Sequence, residues 1–121
     1  MRDKRIWAAV LAIGLGAAIW AASPVVTGRK EPWDAAGPYY LLALLVSGFL
    51  VGFATRGSGS SAFVTTFVGL FLGQLLYMLA FLRIGPLIVI GLGFLGVYSG
   101  LGALAAVGGS RVGRWAPRAR Q

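Results

Sequence analysis

The chain has 121 residues, 58% of them hydrophobic and 12% charged, a formal net charge of +8 and a mean hydropathy of +0.82. A soluble domain carries about 25% charged residues, so this composition cannot cover a core with polar surface, whereas a bilayer favours an apolar exterior. Cysteine and histidine are both absent, which removes the main donors for disulfides, iron–sulfur clusters, zinc and haem, so no metal or cofactor is expected.

The first apolar stretch, Ile6 to Val26, follows a basic start at Arg2, Lys4 and Arg5 and imitates a secretory signal peptide. Cleavage after Ala22 would set bulky Trp20 where a small residue is preferred, and cleavage after Ser23 would set Pro24 next to the cut. Retention as a membrane anchor is therefore the expectation. The loop that follows carries Arg29, Lys30, Glu31 and Asp34 around Trp33 and is read as a solvated loop anchored by that ring.

Three further apolar stretches run from Pro38 to Ala54, Ala62 to Leu82 and Pro86 to Val107, and none of the four holds an Asp, Glu, Lys, Arg or His side chain. Each is close to the roughly 20 residues that cross a hydrocarbon core of about 30 Å. Continuous rather than alternating apolar character calls for helices and not a barrel. The expected fold is all-α, a single-domain integral membrane four-helix bundle over residues 1–121. Its short loops make the helices mostly antiparallel neighbours. Pro38 and Pro86 suit helix starts, and Ser60 or Ser61 suits a cap for the third helix. Residues 108–121 form a basic tail with Pro117 breaking any helix.

With four spans, eight basic residues (Arg2, Lys4, Arg5, Arg56, Arg111, Arg114, Arg118 and Arg120) fall on one side against three (Arg29, Lys30 and Arg83) on the other. The richer side faces the cytoplasm, placing both termini there. A bacterial inner membrane suits the Arg-, Ala- and Gly-rich composition and short loops. Trp7 and Trp115 are then expected at the inner interface, and Trp20, Trp33, Tyr39 and Tyr40 at the outer one.

Small residues recur four apart: Gly48 with Gly52, Gly69 with Gly73, and Gly96 with Gly100, the last extended by Gly93 and Ala103. Such pairs share a helix face and let a second backbone approach, so these glycines are the expected helix-packing set. Gln74 is the most polar side chain inside any span. It should turn inward, either to an interhelical hydrogen bond or into a polar track with Thr66, Tyr77 and Tyr98. Arg83 and the tail residues Arg111, Arg114, Arg118 and Arg120 are expected at lipid headgroups, which makes an anionic bilayer the principal partner, and nucleic acid is not expected.

Asp3, Glu31 and Asp34 are the only carboxylates. Without histidine or cysteine they cannot form an acid–base pair or an activated nucleophile, so no catalytic residue is assigned and an enzyme is not expected. A proton-coupled carrier needs an ionisable group within the membrane. Small multidrug exporters of this size use a glutamate in the first helix, which is missing here; likeness to fluoride channels is one of architecture alone. Pro32-Trp33-Asp34, Tyr39-Tyr40 and Gly73-Gln74 resemble features of small uncharacterised bacterial four-span membrane proteins over the middle half of the chain, a resemblance that implies no activity. The expected function is a structural or accessory membrane subunit, alone as a homo-oligomer or within a larger complex. The alternative is a small channel or facilitator for a neutral or weakly polar solute.

Overall fold

A computed structural model describes residues 2–28, 38–55, 59–81 and 88–115, and among them the chain is all-helical, with no strand. Four helices follow in order: α1 (Arg2–Thr27), α2 (Tyr39–Thr55), α3 (Gly59–Phe81) and α4 (Ile88–Trp115). Three are long and apolar enough to cross a membrane, over Ile6–Val26, Gly59–Ala80 and Val89–Trp115. With 17 residues, α2 is the short one.

Helix ends follow local chemistry. Gly28 takes φ of 78°, a left-handed backbone that only glycine adopts freely, and its N–H returns to the Pro24 carbonyl at 3.1 Å to close α1. Pro38 cannot donate but accepts from Leu42 N–H at 2.9 Å, which opens α2. Two expected boundaries shift. Ser60 and Ser61 lie within the first turn of α3 and not ahead of it, and α4 continues to Trp115, so the start of the basic tail is helical.

Registers give the topology. Gly69 and Gly73 meet Ala12 and Ile13, and Trp20 meets Gln74, so α1 and α3 run parallel. Gly48 and Gly52 meet Gly102 and Ala106, so α2 and α4 are parallel as well. Antiparallel packing joins α1 to α2 through Tyr39 and Ile19, and α3 to α4 through Phe67 and Gly100. Around the bundle the order is α1, α2, α4, α3, with no close backbone contact between α1 and α4.

Each helix runs opposite to the one before it, as a mostly antiparallel bundle requires, while the two pairs with the closest backbone approach, α1 with α3 and α2 with α4, are parallel. Although residues 56–58 join α2 directly to α3, these two helices lie on a diagonal, because the glycine faces of α2 and α3 each take a partner two helices away. The start of α1, end of α2, start of α3 and end of α4 share one end of the bundle, called here the terminal end.

The core changes along its length. Ala8, Ala12 and Val51 fill it toward the terminal end, where small side chains let backbones close in. Toward the opposite end it is built from Ile19, Trp20, Tyr40, Leu44, Leu70, Met78 and Leu95.

Candidate functional site

Gln74 lies on α3, fully buried, seven residues before that helix ends at Phe81, so it sits nearer the end opposite the termini than mid-helix. Every helix reaches it. Its side-chain oxygen accepts from Trp20 Nε1 of α1 at 2.8 Å and from the Tyr40 hydroxyl of α2. Its amide nitrogen donates to the Leu70 carbonyl one turn back in α3, at 3.1 Å, and to Ser99 Oγ of α4, at 3.1 Å. A carboxamide offers two lone pairs and two N–H groups. All four are used.

Aromatic packing closes the cluster. The Trp20 and Tyr40 rings meet edge to face at 6.5 Å and 87°, and Tyr98 lies against Tyr40 with centroids 4.6 Å apart. Tyr39 ties α2 to α1 by donating to the Ile19 carbonyl at 2.6 Å. Pro24 has no N–H, so the Trp20 carbonyl has no intrahelical i+4 donor at that position.

Two aromatic positions differ from expectation. Trp20 is 0% exposed and Tyr40 4%, so neither is an interfacial ring on the outer surface. Burial is favourable here because the Gln74 oxygen accepts a hydrogen bond from each of them, and a satisfied buried donor escapes the desolvation cost of an orphan. Trp7 and Trp115 are largely exposed at the terminal end. Trp33 lies outside the described residues.

Of the expected polar track, only Gln74 belongs to this network directly. Tyr98 joins through its ring contact with Tyr40, and Tyr77 is half-buried against the same apolar core. Thr66 is two turns nearer the terminal end, fully buried, with no hydrogen-bond partner for Oγ1. Ser99 escaped sequence reasoning, although its place three residues before Gly102 on a small-residue face was a usable signal.

The glycine set divides by geometry. A methyl on Gly48 would overlap the Gly102 carbonyl, on Gly52 the Ala106 carbonyl, on Gly73 the Ile13 carbonyl, and on Gly69 the Ala12 side chain. Gly96 and Gly100 instead give room to the Phe71 and Phe67 rings, at ordinary distances of 3.9 and 3.8 Å. Those rings belong to a stacked ladder, Phe63 on Phe67 at 6.2 Å and Phe67 on Phe71 at 6.1 Å. Gly93 faces open space, with no atom of the described residues within 4 Å of an added methyl, because the stripe of α4 facing α2 runs through Gly102, Ala106 and Gly109. Gly16, Gly102 and Gly109 are therefore packing glycines absent from the expected set.

Arg111 and Arg114 are exposed in the last turns of α4, while Arg83, Arg118 and Arg120 lie outside the described residues. Among the described residues no three carboxylate, imidazole or thiol groups come together as a metal site would require. No protein-family model, no curated protein and no solved structure matches this chain.

Proposed function

We propose that the chain is a non-enzymatic integral membrane protein, an accessory or structural subunit whose four helices are pinned to one another at Gln74. The observation that carries this is the saturated carboxamide. Four helices spend Trp20, Tyr40, Ser99 and the Leu70 carbonyl on it, which leaves no donor or acceptor of the amide for a solute.

Exposed apolar side chains support the membrane part. Val10, Val46, Val64, Leu76, Ile90 and Leu104 point outward from all four helices, which suits lipid and costs stability in water. The helix ends gathered at the terminal end carry Arg2, Lys4, Arg5, Arg111 and Arg114, so the positive-inside rule directs it to the cytoplasm of a bacterial inner membrane. The glycine faces of α2 and α3 are spent within the bundle, so a second copy or a larger complex must dock on the outward surface.

Native mass determination of the tagged protein, extracted gently from its own membrane, tests this proposal. A stoichiometric foreign chain, or a defined homo-oligomer, is the expected result. A monomer with no companion under every mild condition would oppose it.

One observation favours the second reading, a small facilitator for a neutral solute. The Thr66 hydroxyl is buried without a partner in the span below Gln74, and a polar lining needs such groups. Solute flux into proteoliposomes that falls on Thr66→Val substitution would support it, and equal flux would remove it.

A further inference from the structure

The two parallel pairs are built differently from the seam between them. Within the α2 and α4 pair a methyl on Gly48, Gly52 or Gly109 would overlap the Gly102, Ala106 or Phe49 carbonyl, so the backbones touch at successive turns. Within the α1 and α3 pair Gly73 lies against the Ile13 carbonyl, and Gly16 against the Leu70 carbonyl. Backbone-to-backbone packing of this kind has no side chain that can rotate aside, and it makes each pair one rigid body.

Side chains make the contact between the pairs. Tyr39 donates to the Ile19 carbonyl, and Tyr40 and Ser99 bond to Gln74. These bonds cross from one pair to the other, and they lie toward the end opposite the termini. Toward the terminal end the seam runs through the small apolar side chains Ala8, Ala12 and Val51, and the wall between α1 and α2 leaves about 260 Å³ unfilled beside Ala8, Leu11 and Ala54. Thr66 sits in that half of the core. It shares the inward face of α3 with Leu70 and Gln74, one and two turns on, and its fully buried Oγ1 has no hydrogen-bond partner.

From this asymmetry we infer that the bundle is a clamp, in which the two rigid pairs stay joined at Gln74 and part at the terminal end, admitting water to Thr66. The motion is a hinge between two packed bodies. The closed form predominates, and the open one is a minor state of the same chain. Closure leaves the Thr66 hydroxyl unpaired in the core, and hydration on opening removes that cost, so this group biases the clamp toward opening. Gln74 acts at the other end as the latch, since Tyr40 and Ser99 must both release it before the pairs can separate there.

The test uses the full chain in proteoliposomes, with single introduced cysteines and long exposure to a small charged methanethiosulfonate. Ala62→Cys, one turn before Thr66 on the same buried face, reports on the terminal half of the core, and Met78→Cys, one turn beyond Gln74, reports on the other half. Ala62→Cys is expected to react slowly beside the exposed Trp115→Cys, yet well ahead of Met78→Cys. Adding Thr66→Val, which keeps the shape of the side chain and deletes the hydroxyl, should slow Ala62→Cys about ten-fold, the factor an unsatisfied buried polar group is worth. Thr66→Ser retains the hydroxyl and should retain the rate. Gln74→Leu, which removes the latch, should bring Met78→Cys up toward Ala62→Cys. Equal rates at Ala62→Cys and Met78→Cys with Gln74 in place would mean that the bundle opens as a whole, and would overturn the proposal. So would an Ala62→Cys rate that Thr66→Val leaves unchanged, or the absence of reaction at both positions.

Discussion

Trp20 and Gln74, 54 residues apart in the chain, meet through a 2.8 Å hydrogen bond from the indole Nε1–H to the amide oxygen, inside a bundle where both side chains are fully buried. That bond fixes the register of two parallel helices that share no connecting loop. Tyr40 and Ser99 extend the same constraint to α2 and α4. The amide therefore specifies one arrangement of four helices whose other contacts are largely van der Waals packing.

Replacing Gln74 by Leu should destabilise the bundle by about 2 kcal/mol, because interhelical hydrogen bonds between membrane spans are worth about 0.6 kcal/mol on average and several are lost together. Trp20→Phe should cost less in hydrogen bonding, since it removes one donor and leaves the amide its other partners. The double variant should be less destabilised than the sum of the two singles, as expected for groups sharing one network. Unfolding in mixed micelles with increasing denaturing detergent measures all three.

Gly52→Ala and Gly93→Ala make a paired test of the glycine geometry. At Gly52 the added methyl meets the Ala106 backbone, which cannot rotate away, so a loss of about 1–3 kcal/mol is expected from overpacking. Gly93 has open space at the same point, and the substitution there should be neutral or gain up to about 1 kcal/mol from helix propensity. Thermal denaturation in one detergent would rank them, and equal losses would contradict the division of the glycines.

Thr66→Val keeps the shape of the side chain and removes a hydroxyl that has no partner. Stability should hold or rise by about 1 kcal/mol, the cost released when an unsatisfied buried polar group is deleted. A clear fall in the melting temperature would mean that the hydroxyl is satisfied in the membrane.

Tryptophan fluorescence separates the rings by position. Trp20 should emit at short wavelength and resist aqueous and lipid-borne quenchers, whereas Trp7 and Trp115, 73% and 79% exposed, should be quenched by brominated lipid or by water-soluble agents. The Trp20→Phe protein should lose the protected component and keep the quenched one.

Four apolar stretches made the helices legible in the sequence, and the absence of any charge within them made Gln74 conspicuous. Its partners were harder to see. Trp20, Tyr39 and Tyr40 stand near helix ends, where aromatic rings also sit for interfacial reasons, so position alone does not distinguish a lipid-facing ring from one turned inward. Only the approach of α1 and α2 to Gln74 decides it. In α4 nearly every face offers small residues, so the spacing of four that joins Gly96 to Gly100 competes with the spacing that joins Ser99, Gly102, Ala106 and Gly109. Contact with α2 selects the second, and the first becomes the bed for phenylalanine rings. Parallel pairing was hidden for a related reason. Short loops fix which helices run in opposite directions, but glycine contacts fix which of them come closest.

A closed polar core, satisfied by the four helices themselves, is the central claim, and accessibility of introduced thiols tests it most directly because the natural chain has no cysteine. Thr66→Cys and Ser99→Cys proteins in proteoliposomes would be exposed to a small charged methanethiosulfonate, with Trp115→Cys as the accessible control. Labelling of the control alone is the predicted result. Modification of Thr66→Cys or Ser99→Cys at a rate near that of the control would show a water-filled path through the bundle and contradict the claim.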